Sequence, residues 1–355
     1  MKLEDLTASL IKHKTVSGIE YAEVDRCIKY IKSYFKDTNL KVKEFCFEND
    51  KCVYISNTDD KELDVLFVGH IDVVSGDDTQ FTPIIKGNKL YGRGSFDMKG
   101  HVAVMMSLFK KNIFDKKLGL LITSDEERGG FNGTYRFLND LDYRSNIAIV
   151  PDAGNNFEIV IEEKGVLQLK VTYYGKKAHS SQPWKGNNSI DKIINLYNKL
   201  MEKYPLPKSS YDYKTSINIA NINGGNLTNE IPSECYAIFD IRHAVNDKKE
   251  DFINYIKNYD SNIKVEVLAK GEPFLTIQDN DYYKQFIEVY KDVVSKRVTY
   301  RMFESASDGR FFYSKGIPCI LMNAKGNNIH SQGEYVCIDS LYKLYNLYLS
   351  YLLSL

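Results

Sequence analysis

Four short runs constrain this chain more than anything else in it: Val65-Leu66-Phe67-Val68, Leu118-Gly119-Leu120-Leu121-Ile122, Ile147-Ala148-Ile149-Val150 and Cys319-Ile320-Leu321-Met322. Each is almost wholly apolar, lacks alternation and is too short for a helix. A strand of that kind is covered on both faces, the condition inside a parallel sheet flanked by helices. Helical spacing supplies the cover: Val24, Cys27, Ile28, Ile31 and Phe35 recur at steps of three and four within 21–36, and 3–12, 101–111, 282–294 and 339–353 also read as helices. In such sheets ligands gather beyond the carboxyl ends of the strands. There the chain places Gly69-His70-Ile71-Asp72, then Asp125-Glu126-Glu127, then Pro151-Asp152, and, past a loop after the fourth run, His330.

Each of these groups has a plain reading by itself. His70 suits a core histidine beside a turn aspartate. The acids after residue 124 suit a solvated loop capping the helix that contains Tyr135 and Leu138. Asp97, inside Gly92-Arg93-Gly94-Ser95-Phe96-Asp97-Met98-Lys99-Gly100, suits an N-cap of the helix 101–111. The glycines around it permit unusual backbone angles and close approach. Taken together, two histidines and several carboxylates from separate strand ends form a donor set for two hard-to-borderline divalent ions. Asp72 then suits the group that fixes the tautomer of a ligand imidazole.

A chain of 355 residues is long enough for about two domains. Its character changes near residue 165, where 166–174 alternates as a half-exposed strand does. A helix over 189–202, strands over 216–220 and 235–241, a helix over 251–259 and a strand over 263–268 follow. That β-α-β-β-α-β order predicts a small ferredoxin-like α+β domain. The expected division is 1–165 and 271–355 for an α/β catalytic domain with a mixed central sheet, and 166–270 for an insertion. Residues 41–47 and 51–56 read as a hairpin, and Thr15-Val16-Ser17-Gly18 as a turn.

Composition narrows the partners. Lys plus Arg equals Asp plus Glu at 47 each, so nothing points to nucleic acid or a membrane surface. None of the six cysteines forms a C-x-x-C pair, which argues against a zinc knuckle or redox motif and fits a reduced cytoplasm. The first residues lack a signal peptide's apolar core, and no uncharged apolar run reaches about 18 residues, so no membrane span is expected.

In order along the chain, Gly69-His70-x-Asp72-Val73-Val74, Gly92-x-Gly94-x-x-Asp97-Met98-Lys99-Gly100, Asp125-Glu126-Glu127, Ala178-His179-Ser180-Ser181, Asn229-x-Ile231-Pro232, Asp240-Ile241-Arg242, Asp308-Gly309-Arg310 and His330 with Glu334-Tyr335-Val336 carry a resemblance. The chain resembles the dinuclear zinc aminoacylase/carboxypeptidase family, which includes acetylornithine deacetylase and succinyl-diaminopimelate desuccinylase. The resemblance implies that His70 and Asp152 hold one metal, Glu127 and His330 the other, and that Asp97 bridges them, with a cis peptide after Asp97. It implies zinc first, with cobalt as the alternative. Asp72 would orient His70, and Glu126 would be the general base. His179, on the insertion, would reach the partner's site in a homodimer and stabilise the oxyanion. Asn229, Arg242 and Gly326 would contact the substrate, Arg242 through a carboxylate fork, with a structural salt bridge as the other reading.

Three departures bear on specificity. Asp152 stands where many deacylases have glutamate. Glu163-Lys164-Gly165 replaces the desuccinylase branch's Arg-Arg-Gly, which weakens the case for a doubly acidic, succinylated substrate. The loop Asn323-Ala324-Lys325-Gly326-Asn327-Asn328 lacks the usual Gly-Pro-Gly character. The expected activity is metal-dependent hydrolysis of a small N-acyl amino acid, acetylornithine deacetylase-like. A dipeptidase, a carboxypeptidase or the desuccinylase is the alternative within the same chemistry. A catalytically silent binding homologue and a dinuclear phosphoesterase are the rivals from other classes.

Overall fold

The computed structural model describes residues 1–209 and 212–355, and the chain divides into two compact units. One comprises Met1–Ile161, Thr276–Arg301 and Ser307–Leu355; the other comprises Glu162–Leu275 and Met302–Ala306. Nothing in the sequence signalled the short excursion at 302–306.

In the first unit the four apolar runs become neighbours in one mixed sheet. Its path runs Lys41–Phe47, Asp50–Ser56, Leu118–Thr123, Glu62–His70, Arg144–Val150, Cys319–Leu321, Ile159–Glu163. The four inner strands are parallel, and the hairpin and Ile159–Glu163 join them antiparallel. The register sets His70 opposite Thr123 and Ile149 opposite Ile320, so the residues that follow these strands emerge side by side.

The helix Gly100–Lys111 is buried nearly all round, because it packs on this sheet and is covered in turn by Leu3–Ile11 and Ile338–Ser354. Its closeness explains Gly69: a Cβ there would stand 2.6 Å from Met105 Cε and 2.9 Å from Met98 Cε. A second, small antiparallel sheet joins Ile84–Lys86, Lys89–Tyr91, Tyr335–Cys337 and Gly326–Asn327. It corrects one expectation. His330 is not at the end of an apolar strand but in the loop between Gly326–Asn327 and Tyr335–Cys337, in the left-handed region at φ 59°.

In the second unit the strands Ser216–Gly224, Glu234–His243, Gly165–Tyr174 and Ile263–Gly271 pair antiparallel in that order. This is the ferredoxin-like order. Leu167, Leu169, Val171 and Tyr173 on the central strand meet Ile193, Leu196 and Leu200 of Ser189–Lys203 and Phe252 and Ile256 of Lys249–Lys257. Asn188 caps the first of these helices, its side chain accepting from Ile190 N at 3.0 Å. The strand Ser216–Gly224 runs four residues past its apolar start, since backbone pairing with Glu234–His243 carries it through the polar Asn221–Gly224 stretch. Among the described residues no helix is long and apolar enough to cross a membrane.

Candidate metal centre

His70 closes its strand and points Nε2 at three carboxylates: 3.1 Å to Asp97, 3.6 Å to Asp152 and 4.0 Å to Glu126. The other oxygen of Asp97 lies 3.0 Å from His330 Nε2, which is 3.1 Å from Glu127 Oε2. Two groups of donors result, His70 with Glu126 and Asp152, and Asp97 with Glu127 and His330, the donor atoms of each lying within 4.8 Å of one another. Asp97 is not a helix cap. It sits in the irregular turn Ser95–Lys99 ahead of the helix, and the peptide Asp97–Met98 is cis.

The charges in this cluster act strongly on one another. Burial opposes a charged His70, but Asp152, Asp72 and Asp97 outweigh it and push its pKa well up. Hydrogen bonds to Asp97 and Glu127 raise His330 to about 10. Burial also works against the Asp97 carboxylate, yet His330 and His70 hold it well below the usual range. Burial, reinforced by Asp152, pushes Glu126 well up, and burial pushes Asp152 to about 7 despite His70. Four carboxylates and two imidazoles gathered in two such groups form a donor set that divalent cations fit, and nitrogen-plus-carboxylate donors suit zinc-like ions. Strongly shifted, clustered groups of this kind mark functional sites.

Asp72 does more than the sequence suggests. His70 Nδ1 lies 2.9 Å from the Asp72 backbone oxygen and 3.4 Å from its carboxylate, so the main chain is the nearer acceptor. The carboxylate, beside His70, also accepts from Ser17 Oγ at 2.7 Å and from the amides of Glu127 at 3.1 Å and Glu126 at 3.3 Å. It therefore anchors the turn that presents the two glutamates. Ser17 carries no sequence signal beyond a turn. It arrives because Val16 bridges Val73 and Ser17 N donates to Val73 O at 3.0 Å. Asp125 faces away from the cluster, accepting from the amides of Asn132 at 2.7 Å and Gly133 at 3.1 Å. Arg310 supports the same turn by donating to Gly129 O at 2.7 Å.

Gly326 is buried, and its N–H donates to Asn155 Oδ1 at 3.2 Å. A Cβ there would stand 2.3 Å from Phe96, so the glycine lets this strand lie against the residue preceding Asp97. His101 is buried with Nε2 accepting from Ala324 N at 3.0 Å, as a structural histidine should be. The second unit carries the remaining three residues. His179 is exposed, paired across from Glu230, with Nδ1 2.8 Å from Ser181 Oγ. The backbone oxygen of the exposed Asn229 accepts from Ser180 N at 2.9 Å. Arg242 forks onto Asp240 at 3.0 and 3.2 Å, so the salt-bridge reading describes its contacts here. Lys164 is buried over the Tyr213 ring, and burial lowers its pKa.

Residues 66–354 match the model of peptidase family M20/M25/M40. A succinyl-diaminopimelate desuccinylase from Buchnera aphidicola subsp. Acyrthosiphon pisum is 31% identical over 78% of this chain and 79% of its own length. One from Rickettsia africae is 27% identical over 93% of this chain and 95% of its own. Among solved structures, aminopeptidase PepT from Bacillus cereus is similar in fold, with a TM-score of 0.81 at 20% identity over 99% of this chain and 98% of that one.

Proposed function

The chain belongs to peptidase family M20/M25/M40 and is a hydrolase of amide bonds. From that premise we propose that it releases a small amino acid from its N-acyl derivative, in the manner of acetylornithine deacetylase, with two divalent ions, zinc first and cobalt as the alternative. The observation that carries the reading is the pair of donor groups, with Asp97 turned toward both histidines and Glu126 beside His70.

His70 and Asp152 would hold one ion, Glu127 and His330 the other, and Asp97 both. Bound ions supply a lowered water pKa and polarise the scissile carbonyl. Glu126 stands 4.0 Å from His70 Nε2, farther than Asp97 and Asp152, which suits a base rather than a ligand. As the water oxygen bonds to the carbonyl carbon, Glu126 takes its proton. As the C–N bond breaks, the same carboxyl returns the proton to the leaving amine. Burial raises its pKa above the usual carboxylate range, which favours a carboxyl able to take up a proton and give it back. Asp72 positions Glu126 and Glu127 through their amides. Asn229 and Arg242 would contact the substrate from the second unit, Arg242 with the guanidinium edge that Asp240 leaves open, and Gly326 keeps the loop beside Phe96. His179 would stabilise the oxyanion of a partner subunit in a homodimer formed through the second unit, and sedimentation velocity tests that pairing.

The desuccinylase relatives favour a second reading, desuccinylation, although the buried Lys164 stands where that branch carries arginine. The deciding experiment loads the chain with zinc or cobalt and assays N-acetylornithine, N-succinyl-diaminopimelate, N-formyl amino acids, dipeptides and a chromogenic phosphoester in parallel. Two ions per chain with preferential release from N-acetylornithine supports the proposal. Preference for the succinyl compound or a dipeptide replaces the substrate, and phosphoester turnover without amide turnover refutes the chemistry.

A further inference from the structure

We propose that Glu334 is a positioning residue for the metal centre, holding the backbone of Gly94, Phe96 and Asp97 so that Asp97 presents one oxygen to each donor group. The inference rests on the reading of Asp97 as the shared ligand. Glu334 is 1% exposed and contributes to neither donor group. Its Oε1 accepts from Phe96 N at 3.0 Å and Asp97 N at 3.1 Å. Its Oε2 accepts from Gly94 N at 3.0 Å and Arg93 Nη1 at 2.8 Å. Its backbone oxygen accepts from Gly92 N at 3.0 Å.

Five donors from residues 92–97 thus converge on one residue. Buried amides need acceptors, and successive N–H groups turned toward one point form a concave anion seat. In most sites of that shape the anion is a ligand; here it is the chain's own carboxylate, and what it orders is the turn carrying Asp97. The Arg93 ion pair alone would need no such arrangement of amides. Glu334 also lies four residues after His330, on the segment leading into Tyr335–Cys337. One short stretch therefore supplies a ligand to one donor group and clamps the ligand shared by both. Donor atoms held 3.0–3.1 Å from two different imidazoles tolerate little backbone drift.

Cobalt(II) titration of the whole chain in chelator-buffered solution, followed by visible absorption, reads affinity and stoichiometry without any substrate. Glu334→Gln keeps the shape but turns an NH2 toward Gly94 N and Arg93. It is expected to weaken cobalt binding at least tenfold while the circular dichroism stays that of the unaltered chain. Glu334→Asp keeps the charge but withdraws it from the amides, and at least a threefold loss is expected. If Glu334→Gln fails to fold, Glu334→Asp decides. A folded Glu334→Asp whose cobalt affinity stays within twofold of the unaltered chain overturns the proposal, even if its melting temperature falls, because a merely structural role would do just that. An unaltered chain that binds no cobalt overturns the metal reading and this inference with it; two cobalt ions bound equally by all three proteins overturn only the role of Glu334.

Discussion

Replacing Asp72 with asparagine tests whether this buried carboxylate serves His70 or the glutamate turn. Asparagine has one acceptor oxygen where aspartate has two. The best fit keeps that oxygen at the Oδ2 position, accepting from Ser17 Oγ and Glu127 N, whose distances are 2.7 and 3.1 Å. The NH2 then faces Glu126 N, 3.3 Å from Oδ1, donor against donor. A buried donor left unsatisfied costs about 1–3 kcal/mol, and the two retained bonds weaken from charged to neutral strength, about 1 kcal/mol each. These terms overlap, so a local loss of about 2–3 kcal/mol is expected. His70 keeps its main-chain acceptor at 2.9 Å and so its tautomer. Hydrogen–deuterium exchange of a peptide spanning 125–130, in the metal-free protein, reads the loss where it occurs. Protection should fall by about 30- to 150-fold, since 1.4 kcal/mol is tenfold in an equilibrium. Protection within threefold of the unaltered chain, in a folded variant, would refute the assignment of Asp72 to the turn.

Other substitutions probe neighbouring links. Glu126→Gln should lower kcat by about 10²–10⁴ or more while the chain still binds two ions, as read by turnover beside metal analysis. Burial holds the His101 pKa down to about 4, against 6.5 for the free side chain. A depressed folded pKa means stability present above pH 6.5 and lost as pH falls toward 4, about 3 kcal/mol in all. Denaturant titrations across that window should show this loss in the unaltered chain and a smaller one in His101→Gln. Gly133→Ala places a Cβ 2.3 Å from Asp125 Oδ1 and 2.8 Å from Thr123, so it should cost about 1–3 kcal/mol and lower the melting temperature.

Much of the layout is legible in the sequence. Unbroken apolar runs required a sheet covered on both sides, and the alternation of 166–174 required one half-exposed. The residues beyond those runs carried the acids and imidazoles that the fold then set together. His330 was harder, because it follows its apolar run by eight residues and reaches the cluster through a separate small sheet. Arg242 read as a substrate fork, with an ion pair as the other reading, since a spacing of two on a strand says which face a side chain shares but not what it meets there.

Hydrophobic pattern and donor chemistry are local properties, so the sequence by itself determined the α/β and ferredoxin-like classes, the types of donor side chain and the family. What only the tertiary structure decided was which groups do the positioning. Ser17 meets Asp72 across 55 residues, and Glu334 meets Asp97 across 237. No periodicity links such partners. Their contacts exist only because two sheets bring distant loops together, and because buried N–H groups there must find an acceptor wherever the chain happens to supply one.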